Sequence, residues 1–274
     1  MKSNLEFNKA SLEIDGAVAI LRMNDPDVLN ALSPDMVKGL TQALDELAAS
    51  DAKPRCLVLT GSGRAFSAGA NLQGRGGNGL NKPGGAGQTL ETVFHPFIRK
   101  LRDLPYPIVT AVNGAAAGAG MSVALMGDLI LCARSAYFLQ AFRRIGLVPD
   151  CGSTWLLPRL VGRARAIELS LLGERLPAET ALAWGLVNRV VPLDRLRDET
   201  LALARQIASS SRNVVALGKA AFYAQIDMDQ TRAYEYTKEV MISNALEPDA
   251  TEGIAAFLER RRPVWRGEGI DEHR

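Results

Sequence analysis

The stretch Gly146-Leu147-Val148-Pro149-Asp150-Cys151-Gly152 sets one carboxylate inside an otherwise apolar run. Upstream lie two turns of small residues, Ala68-Gly69-Ala70 and Gly118-Ala119-Gly120. Tight turns of this kind can present main-chain N–H groups with no side chain in the way. One acid/base group and two converging amide donors can move a proton within a thioester-activated substrate, because the donors stabilise the oxyanion that forms. Adding water usually asks for a second carboxylate. The choice between isomerisation and hydration therefore turns on Asp150 and on which acids accompany it.

The bulk of the chain sets limits on this chemistry. Its 274 residues can bury a sizeable core and suit one domain of α/β size with a small helical appendage. A hydrophobic content of 47% with 23% charged residues is that of an ordinary globular protein. The formal charge of +2, with no Lys/Arg stripe interleaved with aromatics, gives no reason to expect a nucleic-acid partner. Cys56, Cys132 and Cys151 cannot all pair, lack metal-ligand spacing and lie in or beside apolar runs. A reduced, cytoplasmic setting is expected. The opening Met1-Lys2-Ser3-Asn4 has no apolar signal stretch, and no apolar run reaches 18 residues, so neither export nor membrane spanning is expected. Only His95 and His273 are present, which speaks against a histidine metal site or a histidine-based triad.

The elements that must position these groups are legible in outline. Leu5 to Leu21 alternates around Asp15-Gly16 and reads as a hairpin. Ser33-Pro34-Asp35 reads as an N-cap with proline in the first turn, followed by Met36, Leu40, Ala43, Leu44 and Leu47 at helical spacing. Cys56–Thr60, Ile108–Val112 and Leu129–Ala133 are short apolar runs, as expected of strands buried on both faces. Residues 73 to 88, rich in Gly, Asn, Gln and Pro, read as a loop, and Leu90 to Leu104 and Ala116 to Gly127 as helices. Gly162–Leu172, Pro177–Trp184, Leu193–Ala208 and the segments 211–225, 228–245 and 249–262 read as mostly helical. No short-period repeat stands out. The pattern indicates an α/β core over residues 1–195 and a helical region over 196–274.

Several separated motifs, in order, give the chain a resemblance to the enoyl-CoA hydratase/isomerase (crotonase) family. They are Arg64-Ala-Phe-Ser-Ala-Gly-Ala-Asn71, Asn113-Gly-Ala-Ala-Ala-Gly-Ala-Gly120, Asp128, Gly146 to Thr154, Leu157-Pro-Arg159, Gly162, Ala181 to Val187 and Glu252 to Leu258. The resemblance runs from about residue 5 to 266. It implies an α/β fold, a crotonase (ClpP-like) spiral of ββα units with a helical C-terminal region that trimerises, often into a dimer of trimers. It implies an acyl-CoA substrate and no cofactor beyond the coenzyme A of the thioester.

By the family motifs, the oxyanion donors are the N–H groups of Ala70 and Ala119. Where hydratases carry two glutamates, this chain has Ser122 and Phe142, and Asp150 matches the aspartate of isomerases in the family. The segment Phe142 to Arg159 is similar to members that act on ring-epoxide phenylacetyl thioesters. The resemblance also marks Arg64, Ala65, Ala68, Gly69, Asn71, Leu72, Gly118, Ser122, Phe142, Pro149 and Phe257 as candidates for binding the acyl-CoA. The expected reaction is a one-base proton or double-bond shift in an enoyl- or ring-epoxide phenylacetyl-CoA thioester. Hydration of linear enoyl-CoA, which would need a second acid or a water-positioning group with Glu91 as one candidate, and a non-catalytic acyl-CoA-binding subunit are the alternatives.

Plainer roles stand beside these. An aspartate after proline can cap the helix that follows it. Ser122 reads equally as a helical serine bonded to the carbonyl four residues back. Arg64 suits a solvated turn as well as a CoA phosphate, and Asp128 suits a structural role at a strand edge. The apolar neighbours Phe142, Leu147 and Val148 are expected to exclude water from Asp150 and so strengthen it as a base.

Overall fold

The computed structural model describes residues 2–50, 53–72 and 85–266. Strands β1 (Lys2–Phe7), β2 (Ala10–Asp15) and β3 (Val18–Met23) form an antiparallel meander, with the β2–β3 hairpin turning at Gly16 as its sequence demands. Helix α1 (Pro34–Ala49) follows, its start fixed by the Ser33 hydroxyl, which accepts the Met36 N–H at 3.1 Å. Met36, Leu40, Leu44 and Leu47 share its buried face against β1–β3.

Three strand–strand–helix units come next. The first has β4 (Cys56–Gly61), β5 (Ala65–Ser67), α2 (Gly85–Thr89), a π turn (Leu90–Phe94) and α3 (His95–Arg102). The second has β6 (Ile108–Val112), β7 (Ala115–Ala117) and α4 (Ala119–Ala124). The third has β8 (Leu129–Ala133), β9 (Tyr137–Leu139), a 3-10 turn (Ala141–Ile145), α5 (Ser153–Val161) and α6 (Arg163–Leu172). Then β10 (Arg175–Pro177), α7 (Ala178–Ala183), β11 (Arg189–Val191) and α8 (Leu193–Ala208) lead to α9 (Arg212–Gln225), α10 (Gln230–Ala245) and α11 (Pro248–Glu259).

The first strand of each unit joins a large sheet of order β1-β2-β3-β4-β6-β8-β11, parallel from β3 onward. The second strand of each joins a small sheet of order β10-β9-β7-β5, in which β5, β7 and β9 are parallel. The chain thus winds as a spiral of ββα turns. Every residue of β6 is buried, which explains its unbroken apolar run.

Three details depart from the sequence reading. Ala115–Ala117 forms a strand rather than the start of a helix, because side chains this small let β7 fit between β5 and β9, and α4 opens only after Gly118. Residues 85–88, read as loop, are already helical, while 73–84 lie outside the described residues. The 195/196 division falls inside α8, which packs on β3, β4, β6 and β8. The repeat of the ββα unit is the one the resemblance implies, although no short-period sequence repeat marks it.

Asp128 anchors α9 to the base of the large sheet. Its carboxylate accepts the Ile108 N–H at 2.7 Å and the Tyr223 hydroxyl at 2.7 Å, and it pairs with Lys219 at 2.9 Å. Burial and the adjacent carboxylate both push the Tyr223 hydroxyl well above its usual range, so it stays a donor. Further on, Arg261 grips Glu252 with two bonds of 2.6 and 2.9 Å, and the Val264 N–H adds a third at 2.7 Å.

Asp128→Ala should strand the Lys219 ammonium, whose side chain is 9% exposed, and lower unfolding free energy by about 3–5 kcal/mol. Urea titration at fixed protein concentration checks this. The Arg261 bonds hold the Glu252 carboxyl at about 2 against an ordinary 4.5. Its folded value is depressed, so its contribution is complete above the ordinary value and disappears as pH falls through about 2. An NMR titration of Glu252 should show that low midpoint, and Arg261→Ala should return it towards 4.5.

Candidate active site

Because β5, β7 and β9 lie parallel and adjacent, their C-terminal ends fall along one edge of the small sheet. The segments that leave those ends are Ala68–Ala70, Gly118–Ala119 and Ala141–Asp150. With the helical stretch around the π turn they enclose a cavity of about 280 Å³. A π turn inside a helix often marks a functional wall, and here it carries Leu90 and Phe94 on the cavity.

The first turn is stitched to the chain ahead of α1. The buried Ser67 hydroxyl donates to the Asn30 carbonyl at 2.8 Å and accepts the Gly69 N–H at 3.2 Å. Ala68 N–H reaches Leu29 O at 2.9 Å, Leu32 N–H reaches Gly69 O at 2.7 Å, and Asn71 N–H reaches Leu32 O at 3.0 Å. Among the described residues the Ala70 N–H takes no part in this stitching. Asn30, fully buried, braces the turn's entry by donating to Ser62 O and Ala65 O at 2.8 and 2.9 Å.

The second turn is pinned by Gly118 N–H donating to Leu139 O at 2.8 Å. Ala119 is the first residue of α4, so its N–H has no intrahelical acceptor. The two turns touch. Gly69 has φ +95°, and a β-carbon there would lie 2.6 Å from Ala117 O and 3.5 Å from Ala119 N. Only glycine fits. Ala70 and Ala119 consequently line the same cavity.

Asp150 lines that cavity too, half-buried. Its main-chain carbonyl accepts the Ser122 hydroxyl at 3.3 Å and the Ser153 N–H at 3.0 Å. Ser122 therefore does not return its hydroxyl to its own helix. It crosses from α4 to the Asp150 turn, tying one amide turn to the carboxylate segment. Helix α5, which starts just after Asp150, is held by Trp155, whose ring lies between Arg102 and Arg159 at 4.2 and 3.9 Å.

Ala68, Gly69, Leu72, Gly118 and Phe142 also line the cavity. The remaining candidates lie outside its wall. Ala65 is buried in β5, Ser122 is fully buried in α4, and Asn71 and Pro149 are half-buried. Arg64 is exposed on the turn before β5. Phe257 is 82% exposed on α11 and does not reach the cavity within one chain.

Of the three expected water excluders, Phe142 is buried, but Leu147 and Val148 are 42% and 80% exposed. They form the outer lip. Glu91 is exposed and lies outside the wall, although its neighbour Leu90 is in it. Asp150 is the one carboxylate among the described residues of the wall. Residues 73–84 contain no Asp or Glu.

The sequence reading placed residues 73 to 94 along the acyl group, a span that includes the wall residues Leu90 and Phe94, but it missed Asn30 and Ser67. Ser67 carried a usable signal, since a serine two residues before a turn glycine can bond that glycine's N–H.

The enoyl-CoA hydratase/isomerase family model matches residues 13–268. The chain belongs to the enoyl-CoA hydratase/isomerase family. It is 38% identical over 255 residues to 1,2-epoxyphenylacetyl-CoA isomerase of Escherichia coli K12, covering 93% of this chain and 97% of that protein. An enoyl-CoA hydratase structure from Polaromonas sp. JS666 superposes with TM-score 0.88 at 34% identity, covering 94% of this chain and 99% of the other. One from Mycobacterium smegmatis gives 0.86 at 35%, covering 94% and 98%. The crotonase fold and acyl-CoA hydratase/isomerase chemistry thus apply to this chain. Gly69→Ala should push the two amide turns apart and lower turnover of an acyl-CoA substrate by about 10²–10³-fold, the loss typical of one oxyanion donor. Steady-state kinetics check it, with circular dichroism to confirm a retained fold.

Proposed function

We propose that this enzyme is an acyl-CoA isomerase that relocates a proton with Asp150 as its single base. The observation that carries the reading is the convergence of Asp150, Ala70 and Ala119 on a cavity whose described wall holds no other carboxylate. Bound there, the thioester oxygen accepts the Ala70 and Ala119 N–H groups. The Asp150 carboxylate takes a proton from the carbon beside the carbonyl, and the amide pair stabilises the resulting enolate oxygen. The same carboxylic acid returns the proton two carbons along, moving the double bond. No water is consumed.

An apolar, partly aromatic wall from Leu90, Phe94 and Phe142 suits a compact or cyclic acyl group. The E. coli relative is named for a phenylacetyl epoxide, and ring-1,2-epoxyphenylacetyl-CoA is the substrate we assign. Cleavage of the carbon–carbon bond shared by its fused rings gives the isomeric seven-membered oxepin, in which the same proton relocation moves the double bond. The apolar residues Phe222, Leu246, Phe257 and Leu258, each more than 70% exposed on the C-terminal helices, support assembly with other copies, as a trimer or a dimer of trimers.

The names of the two structural relatives favour a second reading, hydration of linear enoyl-CoA. Hydration needs a group to hold and activate water, and the described wall has only Asp150 for that task. Asp150→Asn keeps the shape of the wall and removes the base. It should lower kcat for isomerisation of a 3-enoyl-CoA by about 10²–10⁴-fold with thioester affinity largely retained. Absorbance of the conjugated product measures turnover, and calorimetry measures binding. Near-normal turnover by the variant removes Asp150 from the role. Hydration of crotonyl-CoA by the wild type at a rate matching isomerisation favours the hydratase reading.

A further inference from the structure

A second cavity, of about 330 Å³, opens between α8 and the large sheet, with none of its lining residues shared with the Asp150 site. Ile20, Val58, Leu196 and Leu201 give it an apolar floor. Thr200, 1% exposed, lines it, and its hydroxyl oxygen has no hydrogen-bond partner among the described residues. Helical threonines ordinarily return the hydroxyl to the carbonyl four residues back. Thr41, Thr89, Thr92 and Thr237 do so here. Thr200 does not.

Asn113 adds a second such atom to the same wall. Its Nδ2 donates to Gly63 O and Ala65 O at 2.9 and 3.2 Å, while its buried Oδ1 has no partner among the described residues. Each unsatisfied buried polar atom costs about 1–3 kcal/mol. Two in one cavity mark a place where a bound molecule supplies the missing bonds.

The charges define that molecule. Arg22 on β3 and Arg197 on α8 both line the cavity. The carboxylate facing them is Glu13 on β2, at 3.8 and 3.7 Å, beyond hydrogen-bond distance. Two cations against one anion leave the wall positive. We propose that this cavity binds a small monocarboxylate with an apolar body. Its carboxylate accepts from Arg22, Arg197 and the Thr200 hydroxyl, and its body covers the apolar floor. A hydroxyl on the ligand, or a water carried with it, donates to Asn113. The cavity of about 330 Å³ leaves room for a carboxylate of medium chain length. The site lies where the chain turns from β4 towards Ala70 and from β6 towards Ala119, at the root of both amide turns.

Octanoate is a probe of this size, and equilibrium dialysis of the full chain tests the proposal. Saturable binding should persist when hexanoyl-CoA fills the Asp150 cavity. Arg22→Ala with Arg197→Ala should weaken it about tenfold or more, and Thr200→Leu, which fills the space, should abolish it. Both variants are checked for an unchanged thermal midpoint, and the arginine pair decides if Thr200→Leu fails to fold. Octanoate displaced by hexanoyl-CoA, binding indifferent to the arginine pair, or no saturation in the millimolar range overturns the proposal. The outcome does not depend on whether the family chemistry here is isomerisation or hydration.

Discussion

The contact between the Gly69 turn and Ala117 is the constraint on which the catalytic cavity depends. Two amide donors can converge on one atom only if the strands that deliver them are close neighbours and neither exit turn carries a side chain between them. The parallel pairing of β5 with β7 meets the first condition. The positive φ of Gly69 and the space lacking at its β-carbon meet the second. Under the proposed role of Ala70 and Ala119 as donors, their directions are set by the sheet before any substrate arrives and need no reorganisation during reaction.

Asp150 is held by other means, because a side chain at the end of a long connection has no ladder to fix it. Arg143 donates to the carbonyls of Leu171 and Leu172, and Arg144 to Gly173 O at 2.9 Å. These bonds satisfy carbonyls at the end of α6 and strap the 3-10 turn bearing Phe142 to it. The Ser122 hydroxyl then couples the carboxylate segment to α4. Two independent parts of the spiral, one built from strands and one from cationic straps, meet at that bond.

Much of this was legible in the sequence where the signal is local. The Ser33-Pro34 start of α1, the apolar runs of β4, β6 and β8, the hairpin at Gly16 and the limits of α8 follow from capping, burial and periodicity. The two small-residue turns and an aspartate in an apolar run are conspicuous in type, while the choice of Ala70 and Ala119 within those turns came from the family resemblance. What stayed hidden is non-local. Ala115–Ala117 has helical propensity and becomes a strand only because β5 and β9 flank it. Asn30 acts on residues more than thirty positions away, and no spacing rule reveals that. Leu147 and Val148 look like core in sequence, but they fall on the lip of the cavity, where only a third dimension separates wall from floor.

The residues standing where the family's hydratases carry acids bear on the one-base reading, and more than by omission. Ser122 is fully buried, and its hydroxyl is engaged with the Asp150 carbonyl. A longer acidic side chain there would break that tie and bury a charge at the junction of α4 and the Asp150 turn, at a cost of several kcal/mol. Phe142 is 5% exposed, its ring meeting the side of the Gly118 turn and lining the cavity. An acid in its place would wet the wall that Asp150 faces. Both positions are occupied by groups that hold the geometry or keep it dry, and both would resist restoration of a water-handling acid. Both features support the proposal that one proton passes between two carbons of a bound acyl chain.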